Sequence, residues 1–149
     1  MEGLRWVQLP DDERLEFLGR GGTGVLSFAT ESGRAPVSIP VSYGFDPDEA
    51  VFYFQLSTPK DGRKQELVDE PVSFVVHRET DHGWRSVVAS GSLTDVTEAP
   101  AESALIQGMW AIEIPAVDVF ERPRREVTFR YFRLEPETMT GRKEVATDA

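Results

Sequence analysis

The stretch TGVLSFATESGRAPVSIPVSYGFDPDEAVFYFQL, residues 23–56, decides the fold class. Three runs rich in β-branched and aromatic residues, 23–30, 35–45 and 49–56, are separated by the turn-forming sequences ESGR and DPD. Such runs are typical of β-strands, and short turns of this kind join neighbouring antiparallel strands. The stretch therefore predicts a three-stranded antiparallel meander.

The rest of the chain adds three predicted strands and three short helices. The strands are predicted over 71–79, 84–96 and 125–137, and the helices over 9–22, 61–70 and 99–112. Six such strands with few helices predict a mainly β (α+β) domain, a small antiparallel barrel or sandwich with short covering helices. At 149 residues we expect one domain over 1–149, with a flexible tail from about residue 141.

Composition excludes several classes of function. The formal net charge is -10, whereas a nucleic-acid-binding protein is expected to carry a basic surface. The chain has no cysteine, so thiolate metal sites, thiol nucleophiles and disulfides are excluded. No apolar run has the length of a membrane span, and the first residues lack the pattern of a signal peptide, so we expect a cytoplasmic protein.

The types and distribution of the charged residues suggest where the protein comes from. The chain has 13 arginines and 3 lysines, and its acidic residues are spread along the whole sequence. A saline cytoplasm favours such an acidic surface because strong screening removes its self-repulsion. The pattern therefore predicts a halophilic origin. The alternative is an ordinary acidic protein from a GC-rich genome, in which arginine codons are favoured.

The last predicted strand is apolar on both faces. Val127, Phe129 and Tyr131 point to one side, and Phe132 and Leu134 point to the other. A strand of this kind is usually covered on both faces. A second subunit is the simplest second cover, so the pattern predicts a homodimer.

Two of the three lysines lie around one glycine-containing turn. Lys60 and Lys64 stand with Arg63 where the predicted helix over 61–70 begins. The free N–H groups and positive dipole end of a helix N-terminus favour an anion there, and cationic side chains at that end are unfavourable without one. A bound anion would explain the cluster. The alternative is that Arg63 and Lys64 pair with nearby surface acids.

Residues 22–76 resemble the FMN-binding split-barrel proteins related to pyridoxamine 5′-phosphate oxidase. The order and spacing of five motifs carry the resemblance: Gly24–Leu26, Pro36 with Ile39–Tyr43, Phe52–Phe54, Gly62–Lys64 and Pro71–Phe74. Residues 90–96 and 132–143 continue it. The resemblance implies a homodimeric six-stranded split barrel that binds FMN at the subunit interface. It also implies a flavin-dependent oxidoreductase acting on a small molecule.

The resemblance also implies roles for individual residues. Arg63 and Lys64 would hold the FMN phosphate, and Ser86 would reach the site from the partner subunit. Apart from the resemblance, Trp110 could either pack in the core or cover the flavin ring. The other residues expected along the flavin are Ser38, Ile39, Pro40, Val41, Ser42, Tyr43, Phe54 and Gln55. Independently, a proline within a strand, such as Pro40, indicates either a plain edge strand or a strand beside which something other than a strand lies.

The chain also departs from the pyridoxamine oxidases proper. Those enzymes end in a segment with arginine and histidine that grips the substrate phosphate, whereas this chain ends TGRKEVATDA. Vitamin B6 oxidation is therefore not expected, and the pattern is closer to the short flavin-nucleotide-binding and nitroimidazole-resistance relatives. The alternatives are a reductase of the same fold that uses the deazaflavin F420, a non-catalytic flavin- or haem-binding module, and a dimer with a vestigial site.

No catalytic residue or metal site is identified from the sequence. His77 and His82 are the only histidines, and no spacing around them matches a known metal set. His77 is expected to pack, partly exposed, near a strand end.

Overall fold

The computed structural model describes residues 3–30, 32–59, 71–96 and 127–147, and contains in them seven strands and one helix. In chain order these are β1 (Gly3–Gln8), α1 (Asp11–Leu18), β2 (Gly21–Phe28), β3 (Val37–Asp46), β4 (Val51–Pro59), β5 (Val72–Thr80), β6 (Gly83–Asp95) and β7 (Val127–Thr147). The predicted helices over 61–70 and 99–112 lie outside the described residues.

Six of the strands close into an antiparallel barrel. The strand order is β1-β7-β4-β3-β2-β5-β6, and β6 also pairs with β7, which closes the ring. β1 lies outside this ring and pairs with the end of β7, from Gly3 opposite Thr147 to Gln8 opposite Arg142. The predicted six-stranded antiparallel barrel is confirmed.

Alternate side chains of the strands fill the barrel, because successive residues of a strand point to opposite faces. Four large aromatic residues meet at its centre: Tyr43, Phe52, Phe54 and Phe74. Their ring centroids lie 4.8–6.4 Å apart, mostly edge to face, which is the arrangement that aromatic pairs prefer. We call these four residues the inner cluster.

α1 packs against the barrel with Phe17 and Leu18, which are both buried. Acidic residues occupy its first turn, where the helix dipole favours them, and Gly19 ends it with a φ of 58°. The helix is shorter than the predicted 9–22 because Gly19 ends it and β2 begins at Gly21. No helix in the described part of the chain has the length and apolar character needed to cross a bilayer.

β7 is the strand that departs most from the prediction. It continues ten residues beyond 137, through the segment expected to be a flexible tail, and pairs there with the unpredicted β1. Pro136 suggests a strand end in the sequence, but in the structure it lies at a β-bulge. Gly91 faces Pro136 and the preceding Ser90 faces Thr138, so Glu137 is the extra residue of the bulge. A bulge tolerates proline because no ladder donor is needed there.

The second apolar face of β7 is covered in part within one chain. Phe132 and Leu134 point into the barrel, whereas Tyr131 packs outside it against Val51 and Tyr53. Val51 and Tyr53 are themselves buried in the single chain. This part of the outer face therefore does not require a second subunit to cover it.

Candidate functional site

Among the described residues, β3 and β4 pair over only part of their length. The ladder between these strands covers only Tyr43–Asp46 and Val51–Phe54. Beyond it, Gln55–Pro59 pairs with β7, and Val37–Ser42 pairs with β2 alone among the described strands. One edge of Val37–Ser42 is therefore left without a strand partner in the described structure. We call the gap beside this edge the β3–β4 cleft.

The predicted site residues on β3 divide between the two faces of the strand. Ile39, Val41 and Tyr43 point into the barrel and are buried in its core. The intervening side chains, on the outer face, are small: Ser38, Pro40 and Ser42. Ser38 and Pro40 are exposed, and the Ser38 hydroxyl hydrogen-bonds that of Ser27 on β2 at 2.8 Å. Ser42, on the same face, is buried, so of these residues only Ser38 and Pro40 present exposed side chains to a ligand in the cleft.

The two predicted site residues on β4 divide in the same way. Phe54 is fully buried in the inner cluster, and its ring centroid lies 4.8 Å from that of Phe74. Gln55 is half-buried on the opposite face, opposite Tyr131 in the ladder with β7. Of this pair, Gln55 is placed to offer a side-chain amide to the cleft.

Tyr43 has a structural role that the sequence did not indicate. Its hydroxyl donates a hydrogen bond to the carbonyl oxygen of Leu18 at 2.9 Å, which ties β3 to the end of α1. Burial raises the pKa of the Tyr43 phenol, and the nearby Arg78 guanidinium offsets this only in part. The phenol is therefore neutral at physiological pH, and its side chain serves the core rather than the cleft.

Ser86 lies on the outer face of β6, directly opposite His77 of β5. Two strands, β2 and β5, stand between β6 and β3 in the sheet. Within one chain Ser86 is therefore remote from the β3–β4 cleft. The expectation that it serves the site of a partner subunit stays a prediction.

Beside Ser86 the structure brings together three aromatic side chains that the sequence did not group. The His77 ring lies between two indoles, with its centroid 4.8 Å from that of Trp84 and 6.4 Å from that of Trp6. All three are exposed. We call them the outer cluster. His77 thus packs while exposed, as expected, and in the described part of the chain no group of three potential ligands is placed to hold a metal ion.

Three of the predicted site residues, Arg63, Lys64 and Trp110, lie outside the described residues. The proposed phosphate contacts of Arg63 and Lys64 and the ring contact of Trp110 therefore stay predictions.

A family model described as pyridoxamine 5′-phosphate oxidase matches residues 10–143, which is most of the chain. The chain belongs to the pyridoxamine 5′-phosphate oxidase family. This confirms the family to which its motifs pointed. Among curated proteins, none matches the sequence.

Solved structures share the fold at low sequence identity. A Corynebacterium glutamicum protein described as a candidate pyridoxamine 5′-phosphate oxidase is 19% identical with a TM-score of 0.66, over 96% of this chain and 100% of that one. A FAD-binding protein from Mesorhizobium loti is 18% identical with a TM-score of 0.64, over 96% and 99%. A candidate 5-nitroimidazole antibiotic resistance protein from Bacteroides thetaiotaomicron is 16% identical with a TM-score of 0.63, over 99% and 93%. The chain therefore shares its fold with proteins that are described as having different roles.

Proposed function

We propose that this protein binds FMN in the β3–β4 cleft, as a homodimer, and acts as a flavin-dependent oxidoreductase on a small molecule. The observation that carries the proposal is that, among the described strands, Val37–Ser42 pairs along one edge only, beside small outward side chains. Family membership and the FAD-binding protein of the same fold support a flavin as the ligand.

The free edge suits the polar rim of a flavin ring. Backbone N–H and C=O groups require hydrogen-bond partners, and those of Val37–Ser42 that face the cleft have none on β4. The ring offers both donors and acceptors along its pyrimidine side. Ser38 and Pro40 are exposed and small enough for a flat ring to lie over them, and Gln55 adds an amide that can donate and accept.

The remaining roles follow from the chemistry of the cofactor. Arg63 and Lys64 would hold its phosphate, since cationic side chains make strong, charge-assisted hydrogen bonds to phosphate oxygens. When bound, the flavin supplies the hydride or electron chemistry. The protein's part is to bind the ring, orient it along β3 and limit access of water. Such a mechanism does not need a dedicated acid–base residue on the chain.

The nature of the ligand can be tested directly. We expect the purified protein to show the absorption of an oxidised flavin, bleached on reduction, and to release a molecule with the mass of FMN. Release of FAD would mean that the protein binds a flavin other than FMN. Release of F420 or haem would support the alternative functions. A colourless protein that takes up no added FMN would contradict the proposal.

The location of the ligand needs a matched pair of variants. Ser38→Trp places a bulky side chain at the mouth of the cleft, and we expect it to abolish FMN uptake. Ser92→Trp makes the same change at an exposed position of β6, far from the cleft, and should leave uptake unchanged. Equal behaviour of the two variants would count against the β3–β4 cleft.

The assembly is tested by light scattering. A shared cofactor site requires an interface of more than about 1,000 Å² in total, which is typical of stable complexes. We expect a dimer at micromolar protein concentration. A monomer that retains bound cofactor would contradict the homodimer.

A further inference from the structure

One half-buried arginine in the described residues differs from the others in lacking a partner. The half-buried arginines there are Arg14, Arg85, Arg130 and Arg133. Three of them pair with a carboxylate: Arg14 with Asp11 at 3.1 Å, Arg85 with Glu13 at 3.5 Å and Arg130 with Asp95 at 2.9 Å. The Arg133 side chain makes no ion pair within the described part of the chain, and its Nε is buried without a hydrogen-bond partner.

A half-buried charge without a counter-charge is costly, because it has lost part of its hydration and has gained no partner in return. The chain could easily supply a partner, since its acids outnumber its bases 26 to 16. Buried polar groups that lack a partner in a native structure often mark the place of a bound ion or ligand. We therefore expect the counter-charge of Arg133 to come from a bound anion.

The two side chains opposite Arg133 both carry a hydroxyl group. Arg133 lies on the outer face of β7, opposite Tyr53 of β4 and opposite Thr94 of β6. Side chains directly opposite each other in an antiparallel ladder lie about 5 Å apart. Burial raises the pKa of the Tyr53 phenol and the positive charge of Arg133 offsets this in part, so the two groups are close and the phenol is a neutral donor. An anion at Arg133 would thus meet a guanidinium between two hydroxyl donors.

An apolar group of side chains borders these donors. Val51 and Tyr53 are buried outside the barrel, and Val96 and Tyr131 pack against them while still partly exposed. Tyr131 precedes Arg133 by two residues on the same face of β7, which corresponds to about 7 Å along the strand. The place therefore suits an anion that also has an apolar body.

Nearby carboxylates limit the charge that the anion can carry. Besides burial, the negative charges of Asp46 and Glu49 raise the pKa of the Tyr53 phenol, so both acids lie within electrostatic reach of this place. The Asp46 carboxylate accepts two backbone N–H groups of its own turn, at 2.9 and 3.4 Å, instead of pairing with Arg133. These acids repel a doubly charged phosphate more strongly than a singly charged carboxylate. A planar carboxylate also matches the fork of the guanidinium.

We propose that Arg133, Tyr53 and Thr94 form a binding site for a small organic monocarboxylate. Its carboxylate pairs with the Arg133 guanidinium and accepts from the two hydroxyls, and its apolar body lies against Tyr131 and Val96. This site lies on the outer face of β4, β7 and β6, whereas the proposed flavin lies in the β3–β4 cleft. It is therefore a second site, and it does not depend on the proposed function.

The first test uses benzoate as the probe and titration calorimetry on the full chain at one fixed ionic strength. We expect saturable binding of one benzoate per chain. Arg133→Gln should weaken it roughly ten- to hundredfold, the size expected for a charge-assisted hydrogen bond. Arg130→Gln is the matched control, because it removes a half-buried arginine of the same strand that already pairs with Asp95, and it should bind within about twofold of wild type. Circular dichroism checks that both variants keep the fold.

Three further ligands define the chemistry of the site in the wild-type protein, without any substitution. Benzamide has nearly the same shape as benzoate but no charge, and should bind at least about tenfold more weakly. Acetate keeps the carboxylate but lacks the apolar body, and inorganic phosphate carries more negative charge, so both should also bind more weakly than benzoate. In Arg133→Gln, benzoate and benzamide should bind alike.

A last variant separates this site from the β3–β4 cleft. Ser38→Trp fills the mouth of the cleft and should bind benzoate as wild type does, whereas loss of benzoate binding in this variant would place the ligand in the cleft and overturn the proposal. Absence of benzoate binding to wild type at millimolar concentration would also overturn it, as would equal affinities of Arg133→Gln and Arg130→Gln. Phosphate binding as tight as that of benzoate would overturn the carboxylate as the ligand class.

Discussion

The inner and outer clusters are built from the same kinds of side chain at the same spacing, yet they differ in burial. Ring centroids lie 4.8–6.4 Å apart in the inner cluster and 4.8 and 6.4 Å apart in the outer one. Every inner residue is at most 1% exposed, whereas Trp6 and Trp84 are 48% and 37% exposed. Ring contacts alone therefore do not distinguish a core from a binding surface.

Burial separates the two clusters because the hydrophobic effect acts on surface removed from water. The inner rings leave water when the chain folds, so their burial contributes to the free energy of unfolding. Of the outer rings, Trp6 and Trp84 keep 48% and 37% of their surface exposed to water after folding. A bound ligand or a second copy of the chain would be needed to bury the surface that these rings still expose.

The alternation of a strand allows both clusters to share one element. On β5, Phe74 points into the barrel and belongs to the inner cluster, whereas His77 points outward and belongs to the outer one. Residues an odd number of positions apart on a strand face opposite sides. Stability and recognition can therefore be changed separately within one strand.

The largest expected effect is on stability and comes from the inner cluster. Phe74→Ala removes a ring in contact with Tyr43, Phe52 and Phe54, and should lower the free energy of unfolding by about 3–5 kcal/mol. Trp84→Ala, the matched change in the outer cluster, should lower it by clearly less, because 37% of that residue is already exposed in the folded chain. Urea denaturation of both variants measures the difference. Similar losses would mean that the outer rings belong to the folding core.

The next effect is on binding without loss of stability. Lys64→Ala should weaken FMN binding roughly ten- to hundredfold, because a charge-assisted hydrogen bond contributes about 1.5–3 kcal/mol and each 1.4 kcal/mol is a factor of ten. Arg63→Ala should behave alike, and the double variant need not be additive because both charges share one anion. Fluorescence titration at one fixed salt concentration measures the affinities.

Riboflavin is the control for this prediction, because it lacks the phosphate. Wild type and Lys64→Ala should bind it almost equally, whereas damage to the fold would weaken both ligands together. If Lys64→Ala binds FMN within about twofold of wild type, the side chain pairs with surface acids instead.

The strands of the barrel could be predicted because their signals are local. Alternation in β3 correctly placed Ile39, Val41 and Tyr43 on one face, and the three are buried. Val37 shares that pattern but is exposed at the strand's start. β1 escaped prediction because it is short, carries a charge and is held as a strand only by pairing with the end of β7.

The candidate site was predictable only in part, because its geometry depends on pairing between distant segments. The resemblance named Ser38, Pro40 and Gln55, but nothing local shows that the β3–β4 ladder stops at Tyr43 and Phe54. In the outer cluster, His77 and Trp84 meet across the local β5–β6 hairpin, whereas Trp6 reaches them because β7 pairs with both β1 and β6. The core role of the Tyr43 side chain was hidden for the same reason, since its hydrogen-bond partner is Leu18.

A smaller loss of stability is expected from removing the one hydroxyl group of the inner cluster, that of Tyr43. Tyr43→Phe keeps the ring but removes the hydrogen bond to the Leu18 carbonyl, and should lower the free energy of unfolding by about 1 kcal/mol at neutral pH. Urea denaturation measures it. No loss would mean that water satisfies the carbonyl equally well.

The pH dependence of this loss follows from the pKa of Tyr43, which burial raises above 10.0. Below about pH 10 the phenol is protonated in the folded and unfolded chains, so its contribution is fully present. At higher pH the unfolded chain releases the proton first, and the contribution is lost as pH rises through the folded pKa. The gap between wild type and Tyr43→Phe should therefore shrink above about pH 10, whereas parallel curves would contradict the raised pKa.

The smallest expected effect is that of salt on stability. Salt should act on the charged surface and leave the uncharged inner cluster unaffected. Acids outnumber bases 26 to 16, and their mutual repulsion opposes the compact state. Molar KCl shortens the screening length to about 3 Å and removes this repulsion. It also weakens ion pairs such as Lys143 with Glu13, at 3.0 Å, but a partly exposed pair contributes only about 0–1 kcal/mol.

We expect the lost repulsion to outweigh the weakened ion pairs, so molar KCl should raise the melting temperature. A net gain of about 1 kcal/mol corresponds to roughly 2–4 °C for a chain of this size. Phe74→Ala should show the same rise from a lower starting point, because its defect lies inside the barrel. Sucrose at equal osmolarity controls for general exclusion effects, since it stabilises without screening. If the melting temperature stays flat or falls in KCl alone, the acidic surface is that of an ordinary acidic protein, and the halophilic interpretation is wrong.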